Sequence, residues 1–95
     1  MNFAVHCLDH NEALLLRLEH YEAHKRYLAT GEVRTVISGP LLASDGETMI
    51  GSLFVFEAAT LAEVVAFNAE DPFTRAGVWA EVQIHPFNLR VDNRS

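Results

Sequence analysis

Five histidines stand in this 95-residue chain, and two of them, His20 and His24, are four residues apart in a stretch with helical spacing. Residues four apart share one face of a helix, close enough to hold one metal ion. The rest of the metal pattern is missing. The metalloprotease signature needs Glu directly after its first His, whereas Glu22 comes second here, and nothing in the sequence marks a third ligand. No metal site is expected, and His6, His10 and His85 read as strand or loop surface positions. His24 is better placed to be a base. It flanks the apolar stripe of its helix, Arg17 projects two turns earlier on nearly the same side, and a neutral imidazole can accept a proton. The plainer reading is a half-buried helical histidine bonded to a backbone carbonyl.

Asp71 is the second ionisable group of interest. Asp followed by Pro reads as an N-cap with proline at the first helical position, and Gly77 is a natural stop. Pro72 to Ala76 should therefore form a single helical turn with Asp71 at its mouth, and a plain cap is the default use of such an Asp. Ser38-Gly39-Pro40 and Gly51-Ser52 fall at adjoining strand ends, where glycine lets another group approach the backbone. Neither serine stands in the Gly-x-Ser-x-Gly turn of a serine hydrolase, so both read as polar lining.

The elements that must position these residues are short and well punctuated. Met1 to Leu8 is almost continuously apolar and fits a central strand. Asp9-His-Asn-Glu12 has the spacing of a capping box and should open a long helix whose stripe is Leu14, Leu18, Tyr21 and Leu28, flanked by Leu15 on one side and by Arg17 and His24 on the other. Gly31 closes that helix. Val33 to Ser38 is a β-branched strand ending at Gly39-Pro40, and Leu41 to Thr48 is a loop expected to be mobile, with a turn at Asp45-Gly46. Met49 to Phe56 forms a third strand with two apolar faces. Thr60-Leu-Ala-Glu63 caps a second helix with Leu61, Val64, Val65 and Asn68 on one side. The last strand alternates, Val78, Ala80, Val82 and Ile84 against Trp79, Glu81, Gln83 and His85, until Pro86 ends it.

The order β-α-β-β-α-β is that of an α+β, ferredoxin-like sandwich: an antiparallel four-stranded sheet in the order 4-1-3-2, with both helices on one face. Two helices cover only one side of such a sheet, yet strands one and three are apolar on both. The other side, with Trp79 at its margin, should meet the same face of a second copy in a homodimer. One domain spans residues 1–95, with 88–95 as a polar tail. Thirteen acidic against seven basic side chains give a net charge of -6, which repels phosphate backbones and anionic lipid, so neither nucleic acid nor membrane is an expected partner. The single Cys7 permits no internal disulfide and no cysteine metal set, and the chain shows neither a signal peptide nor a membrane span. A cytoplasmic protein is expected.

Ala23-His24 in the first helix, Gly31, Ser38-Gly39-Pro40, Asp45-Gly46, Gly51-Ser52, Asp71-Pro72-Phe73 with Ala76-Gly77, and Pro86-Phe87 together resemble the YCII-related (YciI-like) family over nearly the whole chain. The resemblance implies a dimeric α+β barrel and a pocket in which a His and an Asp act together, here His24 and Asp71 as catalytic residues. Ser38, Gly39, Pro40, Ser52 and Phe73 are the matching substrate-binding positions. Many relatives carry Arg three residues before the helix His. Tyr21 stands there in this chain, which leaves Arg17 to receive an anionic group. The family includes a dehydrochlorinase acting on a chlorinated hydroxyhydroquinone, and its fold is similar to that of muconolactone isomerases.

Three functions are compatible with these residues. One is a cofactor-independent lyase or isomerase, in which His24 moves a proton on a small cyclic or aromatic oxygenated compound while Asp71 orients the imidazole. The others are a non-catalytic ligand-binding or regulatory dimer, and a structural dimer with no ligand.

Overall fold

The computed structural model describes residues 1–94; Ser95, the end of the expected tail, lies outside the described residues. The elements are β1 (Asn2–Asp9), α1 (Leu14–Ala29), β2 (Arg34–Leu42), β3 (Met49–Glu57), α2 (Leu61–Ala69), α3 (Pro72–Ala76) and β4 (Trp79–Phe87). The four strands form one antiparallel sheet in the order β2-β3-β1-β4, which from the opposite edge is the expected 4-1-3-2.

Register decides which side chains meet the helices. Phe3, Val5 and Cys7 of β1 pair with Phe56, Phe54 and Ser52 of β3 and with Pro86, Ile84 and Val82 of β4, and this set faces the helical layer. Phe3, Val5, Cys7, Phe54 and Phe56 are buried there with Val64, Phe67, Phe73 and Val78. Gly51 leaves no room for a side chain against β1: a Cβ on it would overlap the carbonyl oxygen of Cys7. On the far face, Ala4, His6 and Leu8 pair with Val55, Leu53 and Gly51. Beyond β4, residues 88–94 run without helix or strand, and Leu89 and Val91 line a groove with Val36, Ile37 and Val55.

Pro40 and Pro86 lie inside strands, not at their ends. Pro40 pairs with Ser52 and Pro86 with Phe3. Their strands β2 and β4 are the two edges of the sheet, so a missing N–H can face outward without breaking a ladder. The connection after β2 is a compact turn over residues 43–48 in place of a mobile loop. The Ala43 N–H donates to the Thr48 carbonyl, and the Asp45 carboxylate accepts from the N–H groups of Glu47 and Thr48 and from the Thr48 hydroxyl.

The helices show further differences. Asp9 caps nothing: α1 begins after Ala13, which makes no side-chain cap, and Asp9 turns to Arg17 instead. The buried face of α1 carries Ala13, Arg17 and His24, with Tyr27 and Leu28 partly buried, while Leu14, Leu15, Leu18 and Tyr21 are exposed. In α2 the buried face is Val64, Phe67 and Asn68, and Leu61 and Val65 are exposed. A slip in the β1–β4 register between Leu8 and Asp9 turns Trp79 inward, so it packs in the core and not at the margin of the outer face.

Candidate functional site

The short helix α3 is built as its sequence dictates. Asp71 accepts the Phe73 N–H at 2.8 Å, Pro72 occupies the first turn, and Gly77 ends it in the left-handed region at φ 78°. That conformation places Phe73 and Asp71 against the buried face of α1. His24 Nδ1 stands 2.8 Å from both oxygens of Asp71, and both residues are buried. A carboxylate can only accept, so Nδ1 carries the proton and Nε2 is left as the free polar atom of a ring that lines a pocket.

Phe73 locks the imidazole in place. The two rings stack with centroids 4.1 Å apart at 9°, and Phe54 and Trp79 meet His24 edge-on. The guanidinium of Arg17 also lies over the Phe73 ring, 4.8 Å from its centroid. Arg17 and His24 are two turns apart on α1, roughly 10 Å along the axis, and the Phe73 ring bridges that gap.

Arg17 is buried and held on two sides. Its Nε and Nη2 each donate to Asp9 at 2.9 Å, and Nη2 also donates to Ser52 Oγ at 2.9 Å. A bidentate pair of this kind fixes the guanidinium plane as well as its charge. Beneath the site, burial, followed by the charge of Asp71, pushes the Cys7 thiol up to about 12.

One pocket of about 180 Å³ gathers Arg17, His24, Ser38, Gly39, Pro40, Ser52 and Phe73, and Asp71 lies behind His24. Tyr21, Lys25 and Leu28 of α1 and Met49 and Phe54 of β3 complete the wall. Lys25 Nζ sits 5.2 Å from the centre of the Tyr21 ring. Phe54 could have been found by alternation, two residues beyond Ser52 on one strand face. Asp9 could not, because its helix-opening pattern concealed it. His20 takes no part in the pocket; its nearest charged neighbour is Glu19 at 3.8 Å. Among the described residues no three His, Cys, Asp or Glu side chains stand close enough to hold a metal ion, and no helix is long and apolar enough to cross a membrane.

The YCII-related domain model matches residues 1–88, which takes in every element and every pocket residue above. The chain belongs to the YCII-related family. Among solved structures, this YCII-related chain is similar to a 5-chloro-2-hydroxyhydroquinone dehydrochlorinase from Burkholderia phenoliruptrix AC1100, in complex with 2,5-dihydroxybenzoquinone. The two share 32% identity over 93% of this chain and 94% of that one, with a TM-score of 0.83. An antibiotic biosynthesis monooxygenase (12% identity, 95% of this chain and 98% of that one, TM-score 0.57) shares the fold alone. So does a NIPSNAP domain protein from Burkholderia xenovorans (15% identity, 97% of this chain and 100% of that one, TM-score 0.51). No curated protein matches the chain.

Proposed function

We propose that this YCII-related protein is a cofactor-independent lyase or isomerase acting on a small, monocyclic oxygenated compound, with His24 as general acid and base and Asp71 as its orienting partner. The observation that carries the reading is the hydrogen bond from His24 Nδ1 to Asp71, which leaves Nε2 as the unpaired ring nitrogen of a side chain lining the pocket. A proton taken from the substrate at Nε2 makes an imidazolium stabilised by the buried carboxylate. Returned at another ring atom, that proton completes an isomerisation. If a substituent instead departs with its electron pair, the balance is an elimination of proton and leaving group.

The pocket size supports a single ring, since a cavity of about 150 Å³ holds benzene. Ser38, the Gly39-Pro40 backbone and Ser52 supply polar wall, Phe73 and Phe54 supply aromatic wall, and Arg17 offers donors to a substrate oxygen. The similarity to the dehydrochlorinase supports a hydroxylated, halogenated ring as the first compound class to test. The far face of the sheet, with Ile37 and Leu53 more than a third exposed, supports a homodimer. The free, buried Cys7 fits a reducing, cytoplasmic setting.

The test is incubation with 5-chloro-2-hydroxyhydroquinone and related ring compounds, following chloride release and the ultraviolet spectrum. Wild type should turn one of them over, and His24→Ala should lose on the order of 10²–10⁴ in rate. Compounds that bind, lose affinity in His24→Ala and yet are never changed would establish a ligand-binding module instead.

A further inference from the structure

We propose that Asp9 makes the inner end of this pocket select a neutral hydrogen-bond acceptor on a ring over the corresponding anion, and is thereby a specificity-determining residue. The inference rests on reading the pocket as a ligand site, though not on turnover. A guanidinium has five N–H donors. In Arg17, Nε and one Nη2 hydrogen go to the two oxygens of Asp9, and the other Nη2 hydrogen goes to Ser52, all at 2.9 Å. Neither N–H of Nη1 has a partner among the described residues, and Arg17 lines the pocket. Ser52, having accepted, keeps its own O–H to give. The inner wall thus offers donors, and a ligand atom placed there must be an acceptor.

A site of this shape around an arginine would ordinarily attract an anion. Here the charge is already spent. Asp9 meets Arg17 in a bidentate pair whose side chains are 6% and 4% exposed. Asp71 adds a second buried negative charge behind His24. Lys25 pairs with Glu22 at 3.5 Å and both are largely exposed, so their fields are screened by solvent. With a neutral imidazole, the inner end carries one positive and two negative charges. Coulomb energy falls only as the inverse of distance, so Asp9, just beyond the guanidinium, cancels much of its pull on a ligand charge, and Asp71 opposes the remainder. A ligand anion gives up far more hydration free energy on entry than a neutral acceptor does, while both can take the same hydrogen bonds.

Benzamide and benzoate share one planar frame and differ in charge at about pH 7.5, so they serve as probes in NMR titrations read at His24, Ser52 and Phe73. Wild type should bind benzamide at least about 5-fold more tightly, and Asp9→Asn should move the ratio roughly 10-fold toward benzoate by releasing the arginine's charge. A merely structural Asp9 would weaken both probes together and leave the ratio alone. An unchanged ratio overturns the proposal, as does a wild type that prefers benzoate. If Asp9→Asn does not fold by circular dichroism, the wild-type preference decides alone. Failure of both probes to shift these resonances at roughly 20 mM also overturns it, since affinity weaker than that is no subsite. A preserved benzamide preference without turnover of any ring compound removes the proposed reaction and leaves this inference standing.

Discussion

His24 and Asp71, separated by 47 residues, meet so that one imidazole nitrogen lies 2.8 Å from both carboxylate oxygens. One of those oxygens, Oδ1, also receives the Phe73 N–H, so a helix cap and an imidazole share one acceptor group. The cap sets where the carboxylate points, and the carboxylate sets which ring nitrogen holds the proton.

Asp71→Asn separates these duties. Asn caps a helix about as well as Asp, so α3 should form and the thermal midpoint should hardly move. The amide can donate as well as accept, which frees the imidazole to take the other tautomer, and turnover should fall by on the order of 10²–10⁴. Nitrogen-15 spectra of the His24 ring, recorded with melting curves, test both halves. If stability drops while the tautomer stays, Asp71 is only a cap.

Gly51 should tolerate no side chain. A Cβ there would overlap the Cys7 carbonyl oxygen on the neighbouring central strand, and backbone cannot step aside as a flexible side chain can. Gly51→Ala should cost about 1–3 kcal/mol or more. Gly39→Ala is the control, because a Cβ at that position meets nothing within 4 Å. Equal denaturation midpoints for the two variants would contradict the close approach of β1 and β3.

Alkaline stability should report Cys7. Burial, then the Asp71 charge, raises the thiol from 9.0 to about 12, and burial raises Tyr27 as well. Between these values the unfolded chain releases the thiol proton while the folded chain keeps it, so stability is full below about pH 9 and falls as pH rises toward 12. Cys7→Ala should flatten that decline, at the cost of some core packing. Wild type should also resist iodoacetamide until it unfolds.

Acid should report Asp45 in the opposite sense. The Thr48 hydroxyl, then the Thr48 and Glu47 N–H groups, hold its carboxyl down from 3.8 to about 2. Its contribution is therefore present above pH 3.8 and lost as pH falls through about 2. A carboxyl carbon titration that places Asp45 at an ordinary value would mean that the turn over residues 43–48 is loose.

Static light scattering at micromolar concentration should return twice the formula mass of 10.6 kDa. A monodisperse monomer would show that the far face of the sheet, with the tail lying on part of it, needs no second copy.

The amino-acid sequence by itself determined whatever depends on neighbours a few residues away. The Thr60 cap of α2, the Asp71-Pro72 start and Gly77 stop of α3, and the alternation of β1 and β3 all act over such distances, and from them the βαββαβ order and the sheet order follow. Arg17, His24, Ser38, Gly39, Pro40, Ser52 and Phe73 were singled out from the sequence and line one pocket, whereas Met49 and Phe54 of the same wall were not, and none of the geometry was legible. Tertiary structure decided the remainder. Asp9 fits a capping box locally, but a buried cation eight residues on is the stronger claimant for a carboxylate. Once Arg17 and His24 have partners on β1, β3 and α3, their face of α1 turns inward and Leu14, Leu15 and Leu18 stay outside, against simple hydrophobic order. Trp79 enters the core because one residue slips in the register beside Asp9. Each of these outcomes is a competition for a partner distant in sequence, and only the closed fold sets the distances that decide it.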